Sequence, residues 1–169
     1  MRLAIAHDIG IYTAHTNFDQ VTNGTADVLA QLLDLHAVSP VEQTDPAQDP
    51  DRGYGRVGNL PVVQLLQDLL TTIQTVLAPP RLIYSPTANL QQPIERVAVL
   101  GGSGAGYLSK VAKTDAQVYL TADCKFHQFQ ESRDHGIVLV DAGHYATERP
   151  ACDRLVNWFK AQGVAWAQL

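Results

Sequence analysis

Two residues in the C-terminal third, His144 and Glu148, have the types and the spacing that metal binding or acid–base chemistry requires. They lie in the stretch 143–148 (GHYATE), after an apolar run over 137–140 that predicts a buried strand. Apolar positions 152, 155, 156 and 159 then predict an amphipathic helix. Sites in open α/β sheets form at such strand ends. The stretch alone is equally consistent with a histidine in a turn and an acid favoured by the helix dipole.

A segment near the N-terminus repeats this pattern. Residues 10–19 and residues 136–148 both begin Gly-Ile, and each is predicted to run through a strand to a histidine with a carboxylate four residues later. In the first copy these residues are His15 and Asp19. Two such units facing each other across a cleft would bring together the ligands that a divalent metal needs. Chance similarity of two short segments is the alternative.

Composition limits the class of protein. The length of 169 residues suits one domain or two small lobes that share a core, and 46% hydrophobic residues are enough to build it. A net charge of −5 without a basic cluster argues against nucleic acid as the main partner but leaves room for a small phosphorylated ligand. We expect no membrane span and no signal peptide. Cys124 and Cys152 form no close pair, so a reduced, cytoplasmic setting is expected.

Predicted strands alternate with predicted helices, which indicates an α/β fold with a mostly parallel or mixed sheet. The predicted strands cover 9–14, 82–84, 96–100, 117–120 and 137–140. The predicted helices start at Thr25, at Pro61, after the glycines at 101–106 as far as Lys113, at 126 as far as 135, and after 148. Residues 1–8 are predicted to be the end of a helix, 38–59 a surface loop, and 163–169 an edge strand.

Two further stretches carry candidate binding residues. The glycine-rich loop 101–106 follows a strand, and the backbone N–H groups of Gly102, Ser103 and Gly104 are candidates for holding an anion. The loop lacks the Lys-Ser/Thr ending of a P-loop, and a tight strand-to-helix turn is the alternative. Residues 121–127 follow the next strand, and Asp123, Lys125 and His127 there suggest the wall of a polar pocket. Asp123 is equally suited to cap the following helix.

Four segments together resemble the Nif-three-like proteins, also called GTP cyclohydrolase I type 2 homologues. They are residues 14–19 (AHTNFD), 53–61 (GYGRVGNLP), 97–104 (VAVLGGSG) and 121–149 (TAD through GHYATER). The resemblance covers nearly the whole chain, and the last motif is the most specific. It implies a Nif-three-like fold of two α/β lobes. Residues 1–60 would be a remnant of the first lobe, 61–142 the second lobe, and 143–169 the return to the first.

The resemblance also implies a dinuclear divalent-metal site between the lobes and a toroidal hexamer built from dimers. Carried over by motif, Asp19, His144 and Glu148 resemble metal ligands, and the ion would be zinc, iron, manganese or magnesium. His15 resembles a neighbour of the ligands. Thr121, Asp123, Lys125 and His127 resemble residues of the pocket around them. Ala122 departs from the glycine that is usual at its position.

The family pattern normally includes an N-terminal Thr-His-His-Pro segment whose two histidines are ligands, and this sequence contains no such segment. The chain is therefore expected to be an N-terminally truncated form, with Met1 partway along a helix of the family fold. Three ligands suffice for one ion but are few for two. We expect at most one divalent ion per chain.

Three functions follow from these expectations. In a metal-dependent hydrolase, the ion would activate water, Glu148 or His127 would transfer protons, and the substrate would be a purine nucleotide or related heterocycle. The alternatives are a non-catalytic metal-binding or regulatory assembly protein, and an inactive fragment or a chain begun at an internal Met. Apolar surface left uncovered by the missing segment also predicts a homo-oligomer.

Overall fold

The computed structural model describes residues 1–163, which fold around one mixed β-sheet. The helices are α1 (Arg2–Ala6), α2 (Thr16–Asp19), α3 (Thr25–Leu32), α4 (Leu66–Leu77), α5 (Leu108–Val111), α6 (Phe126–Asp134) and α7 (His144–Ala161), with a 3-10 turn at Ala105–Tyr107. The strands are β1 (His36–Ser39), β2 (Glu42–Gln43), β3 (Gly53–Tyr54), β4 (Arg56–Leu65), β5 (Ile83–Tyr84), β6 (Pro93–Val99), β7 (Val118–Thr121) and β8 (Val138–Asp141). Across these 163 residues, no helix has the length and apolar character needed to cross a membrane.

Six strands form the main sheet in the order β1-β4-β6-β7-β8-β5. The three central strands β6, β7 and β8 are parallel, whereas β1, β4 and β5 pair antiparallel with their neighbours. Parallel strands have their carboxyl ends at the same edge of the sheet. The chain segments that follow β6, β7 and β8 therefore meet at one edge, and these segments are the glycine-rich loop, the Asp123 turn and the start of α7.

Both faces of the sheet are covered. Helices α3, α4 and the start of α7 pack on one face, against side chains that include Val97, Val99 and Val140. The 3-10 turn, α5 and α6 pack on the other face, around Ala98, Tyr119 and their neighbours. Central strands buried on both faces consist of almost continuous apolar residues, which is why the sequence predicted them correctly.

The predicted surface loop over 38–59 is wrong. Strand β4 begins at Arg56 and pairs with β6 in the interior of the sheet, and β1, β2 and β3 also fall largely within the predicted loop. Pro61 lies inside β4, at the irregularity in its pairing between Asn59 and Gln64, where no ladder hydrogen bond needs its missing N–H. Helix α4 starts later than predicted, at Leu66. The division into lobes stays a prediction, and β4 runs continuously through its 60/61 boundary.

The N-terminal region confirms one prediction and contradicts another. A short helix, α1, occupies the predicted helix end. Residues 9–14 form no strand, and Ile9, Ile11 and Tyr12 are exposed there instead of buried in a sheet. The two Gly-Ile segments are therefore not a structural repeat, because only the second contains a strand. The edge strand predicted over 163–169 falls on residues outside the described part of the chain, apart from Gly163.

Helix α7 also differs in detail from its prediction. It begins at His144 itself, and its buried residues are Ala146, Thr147 and Ala151. Of the predicted apolar positions, Cys152 and Phe159 are exposed, and Leu155 and Val156 are half-buried. The small buried residues of α7 allow it to pack closely against α3 and α4, the helices that it contacts.

Candidate metal centre at the strand ends

The candidate site is centred on His144, the first residue of α7. Its Nδ1 atom lies 2.6 Å from Oδ2 of Asp123, and its Nε2 atom lies 3.1 Å from Oε1 of Glu148. Glu148 reaches the ring because residues four apart are neighbours on one helix face. Gly143 precedes the helix with φ +82°, a left-handed conformation that a glycine adopts without strain. The imidazole is thus held between two carboxylates.

A third carboxylate, that of Asp141, fixes the two turns that bring His144 and Asp123 together. Asp141 ends β8, where its Oδ2 accepts a hydrogen bond from the Cys124 N–H (2.8 Å) and its Oδ1 accepts one from the Gly143 N–H (2.9 Å). Cys124 follows Asp123 and Gly143 precedes His144. Sequence reasoning missed this role, although an acid as the last residue of a central parallel strand was the available signal.

Gly102 forms the floor of the site. It adopts φ +65°, and a Cβ atom there would meet Oε1 of Glu148 and lie 3.1 Å from Nε2 of His144. Its N–H donates to the hydroxyl of Thr147 (3.0 Å), which in turn donates to the carbonyl of His144 or Gly143. Thr147 therefore joins the glycine-rich loop to the first turn of α7, a role that sequence reasoning also missed.

The glycine-rich loop already uses two of the three N–H groups that were candidates for holding an anion. The Gly102 N–H is taken by Thr147, and the Gly104 N–H donates to the Gly102 carbonyl (2.8 Å) and to Oγ1 of Thr121 (3.1 Å). The loop runs into the 3-10 turn and the short α5, which ends at Val111 and not at the predicted Lys113. This geometry favours the tight-turn alternative. Anion binding at the exposed Ser103 stays a prediction.

Among the predicted pocket residues, Asp123 is the one that contacts His144. Thr121 is fully buried and its hydroxyl bonds with Gly102 and Gly104, so it braces the loop. Lys125 and His127 are exposed at the start of α6, where Gln128 accepts a hydrogen bond from the Lys125 N–H (2.7 Å). Because Lys125 is the N-cap of α6, the capping alternative for Asp123 is wrong.

Asp19 lies on a different segment from His144 and Glu148. It is half-buried at the end of α2, and the chain then turns into α3. Thr25, the first residue of α3, packs against Gly101, where an added Cβ would lie 2.7 Å from the Thr25 methyl carbon. Burial raises the pKa of Tyr107, and the charges of Tyr54, Glu42 and Asp19 add to the increase. Through Thr25, the segment that follows Asp19 packs against the glycine-rich loop.

His15 lies at the other end of α2. It is the N-cap residue of that helix, and its N–H donates to Oδ1 of Asn17 (2.9 Å). Its side chain is exposed. The structure therefore brings His144, Glu148 and Asp123 into contact, places Asp19 in an adjoining segment, and leaves His15 and His127 on the surface.

Electrostatics at His144 favour its protonated form. The hydrogen bond to Asp123 raises the pKa of His144, partial burial opposes this, and the charge of Glu148 adds to the increase. The side chains of His144, Asp123 and Glu148 are 48%, 49% and 40% exposed. Nearby, burial and the Asp141 carboxylate raise the pKa of the Cys124 thiol, which disfavours the reactive thiolate.

The donor set suits a divalent metal in part. His144 and Glu148 offer a nitrogen and an oxygen side by side, and the carboxylate of Asp123 on the other ring nitrogen is the usual partner of a metal-binding histidine. Within residues 1–163, no three His, Cys, Asp or Glu side chains stand grouped as a metal site. Two donor groups thus lie side by side, and a complete metal site would need a third from another segment, such as that of Asp19.

The chain is thus an α/β protein with a mixed sheet, and it carries a histidine and carboxylates at the ends of its parallel strands. The chain belongs to the DUF34/NIF3 (NGG1p interacting factor 3) family, whose sequence model matches residues 1–167. This confirms the family resemblance and the fold class.

Individual relatives agree with this assignment. The chain is 65% identical over 99% of its length to a GTP cyclohydrolase 1 type 2 homolog from Nostoc sp., and 36% identical over 83% of its length to one from Streptococcus pneumoniae. It spans 62% and 52% of those two proteins. The crystal structure of a hypothetical protein from Staphylococcus aureus has the same fold, with a TM-score of 0.79, 24% identity, and coverage of 96% of this chain and 66% of that one.

Proposed function

We propose that this chain binds one divalent metal ion through His144, Glu148 and Asp19, and that it serves as a metal-dependent hydrolase. The observation that carries the proposal is the position of the His144 ring, with Nδ1 on Asp123 and Nε2 beside Glu148. Nε2 of His144 and Oε1 of Glu148 are close enough to bind the same ion, and the ion would displace the proton between them. The exposure of the site leaves the ion accessible to substrate.

Each residue has a separate task in this proposal. Asp123 accepts the Nδ1 proton of His144 and so directs Nε2 towards the ion, while Asp141 fixes the turns that carry both side chains. Glu148 and Asp19 supply the carboxylate oxygens that zinc, iron, manganese and magnesium all accept. The ion supplies Lewis-acid chemistry when bound. His127 and Lys125, exposed on the neighbouring α6, are proposed to contact substrate at the rim.

For the substrate we propose a nucleotide or related heterocycle, because the relatives carry the name GTP cyclohydrolase 1 type 2 homolog. We also propose that the chain forms a homo-oligomer. Its support is the exposed apolar side chains of the N-terminal region, among them Leu3, Ile5 and Ile11. Apolar surface of this kind is usually covered by a partner.

A second candidate function is metal binding without efficient catalysis, in a regulatory or assembly role. One observation favours it. Within the described residues, His144 and Glu148 lie side by side without a third His, Cys, Asp or Glu grouped with them as a metal site. A hydrolase requires a completed site, whereas a metal-binding protein functions with a weaker one.

Titration calorimetry with Zn²⁺ or Mn²⁺ tests the metal proposal. We expect at most one ion per chain, no binding in His144→Ala, and modestly weaker binding in His15→Ala. His36→Ala, at an exposed position of β1, is the matched surface control and should bind as the wild type does. Two tightly bound ions per chain, or unchanged binding in His144→Ala, would contradict the proposal. Hydrolysis of GTP by the metal-loaded wild type would favour the enzyme, and its absence would favour the second candidate.

A further inference from the structure

The segment 53–58 (GYGRVG) takes no part in the site described above, yet it contains a buried cation. Arg56, the first residue of β4, is 3% exposed. Its Nε donates to Oδ1 of Asp27, its Nη1 donates to the carbonyls of Gly53 and Gly55 (2.8 Å each), and its Nη2 donates to that of Asp51 (3.1 Å). Four of the five N–H donors of a guanidinium are thus used inside the protein.

Two of these partners hold the segment that carries Asp19. Oδ2 of Asp27, whose other oxygen binds Arg56, accepts the N–H of Asn23 (2.6 Å). The N–H of Gly53, whose carbonyl binds Arg56, donates to the carbonyl of Gln20 (2.9 Å). The turn that follows Asp19 is therefore attached at residues 20 and 23, and both attachments lead to the same guanidinium.

A third contact strengthens the attachment at Gln20. Nε2 of Gln20 donates to the hydroxyl of Tyr54 (2.9 Å) and to the carbonyl of Thr16 (2.9 Å). Tyr54 lies between Gly53 and Gly55 and so moves with the loop that Arg56 holds. Gln20 is the chain neighbour of Asp19, so its side chain joins the start of α2 to this loop.

The glycines of the segment allow the chain to fold around the guanidinium. Gly55 has φ +64°, and a Cβ at Gly53 would meet the carbonyl oxygen of Glu42. Larger residues at these positions would push the two carbonyls away from Arg56. The motif is thus explained as a set of residues that surrounds one buried arginine.

The open cavity of about 350 Å³ beside Arg56 is not the reason for its burial. The guanidinium is paired with Asp27, and the Asp51 side chain also lines the cavity. An anion there would meet a neutralised cation and a second carboxylate. The partners of Arg56 point to a role within the fold and not to a ligand.

We infer that Arg56 is a positioning residue for Asp19. It acts through Asp27 and Gly53 to fix the turn at residues 20–23, and so sets the third proposed metal ligand relative to His144 and Glu148. The inference rests on the proposed function for the metal, but the attachment of the turn to Arg56 is a property of the protein without metal.

Amide hydrogen exchange of the metal-free protein tests the attachment. In Arg56→Lys, which keeps the charge but loses the planar fork of donors, exchange at Asn23 and Gly53 should accelerate by about tenfold or more, the value of one charge-assisted hydrogen bond. The amides of β7 and β8 should change much less. The control is Ile73→Val or Ile73→Ala, whichever matches the stability of Arg56→Lys, because Ile73 is buried in α4. Equal acceleration at Asn23 in this control would overturn the inference.

A double-mutant cycle on metal affinity tests the link to Asp19. Arg56→Lys should weaken Mn²⁺ binding by about tenfold, as residues that support a ligand commonly do. In the Asp19→Asn background the same substitution should change affinity less than about twofold, because coupled residues are not additive. Equal losses in both backgrounds would mean that Arg56 does not act through Asp19.

The two experiments separate the failure of each proposal. If the wild type binds no Mn²⁺, the proposed function fails, and the exchange data still decide whether Arg56 holds the turn. If Arg56→Lys does not fold, Arg56→Gln replaces it. Faster exchange at both Asn23 and Gly53, without a similar change in β7 and β8, supports the inference, and unchanged exchange overturns it.

Discussion

The region around His144 and the region around Asp19 are held in place by different means. His144, Asp123 and Glu148 follow directly from β7 and β8, two central strands whose residues are almost all buried, and Asp141 at the end of β8 ties their turns together. Asp19 lies in a four-residue helix, preceded by an exposed stretch without a strand. The sheet positions His144, Asp123 and Glu148, whereas the turn after Asp19 is held by hydrogen bonds to Asp27 and Gly53, the partners of Arg56.

This difference shows what a strand end contributes to a site. A side chain that follows a buried strand inherits its position from the hydrogen-bond ladder and the core. A side chain on a loop needs polar contacts of its own, and these are individually weaker than burial of the core. Substitutions in the His144 region, with exposed positions elsewhere in the chain as controls, should therefore show how strongly the strand ends hold it.

The largest expected effect is at Asp141. In the wild type, two backbone N–H groups donate to the Asp141 carboxylate. Asp141→Asn places an amide NH₂ opposite one of them. We expect unfolding free energy to fall by about 2–3 kcal/mol, since hydrogen bonds to charged groups are the stronger ones. Urea unfolding measures the change. Asp8→Asn, at an exposed site near the N-terminus, is the control, and a similar loss in both variants would mean that Asp141 has no special role.

A smaller effect is expected at Gly102. Gly102→Ala places a methyl group in a left-handed conformation, at a cost of about 1–2 kcal/mol, and against Oε1 of Glu148. Glu148 must turn away, so binding of Mn²⁺ should be lost as well. Gly10→Ala is the matched control, because nothing lies within 4 Å of a Cβ there. Equally tight Mn²⁺ binding by Gly102→Ala and Gly10→Ala would contradict the proposed contribution of Glu148 to the metal site.

The two cysteines should differ in reaction rate. Cys152 is exposed on α7, whereas burial and Asp141 raise the pKa of Cys124. With a disulfide reagent at pH 8, we expect one fast and one slow thiol, because the thiolate is the reactive form. Cys152→Ser should remove the fast phase. A fast phase that survives in this variant would show that the turn after β7 is open to solvent.

The smallest effect concerns the pH dependence of stability. Asp123 raises the pKa of His144 in the folded protein, so its contribution is fully present below the unfolded pKa of about 6.5 and is lost as pH rises through the folded pKa. Asp123→Asn should therefore reduce stability more at pH 5.5 than at pH 9. The difference should stay below about 1 kcal/mol because the pair is half exposed. Urea unfolding at both pH values measures it, and a larger loss at pH 9 would contradict this sign.

Sequence reasoning was most successful where burial is greatest. The apolar runs that became β6, β7, β8 and the apolar face of α4 are signals of the core itself. The family motifs singled out His144 and Glu148, which the structure brings into contact, and their role as metal ligands stays a prediction. It was wrong for residues 9–14, whose apolar residues resemble a strand but have no partner strand within residues 1–163. Apolar composition predicts a strand only when another strand is available to pair with it.

Other features depend on contacts between distant segments and left no local signal. Strand β4 was not predicted because its glycine, asparagine and proline are typical of a loop, and pairing with β6 overrides that preference. The roles of Asp141 and Thr147 depend on two turns and a loop that meet only in the folded chain. The hydrogen bond from Arg56 to Asp27 likewise joins residues about thirty positions apart.

The central claim is that Asp19, His144 and Glu148 converge on one divalent ion, and paramagnetic broadening of amide NMR signals by Mn²⁺ tests it most directly. Added in small amounts to the wild type, Mn²⁺ should broaden the amides of all three residues together, and before those of α4 and β1. The His144→Ala variant should show no selective broadening. The claim is contradicted if the His144 and Glu148 signals broaden while that of Asp19 does not, or if the broadening centres elsewhere on the molecule.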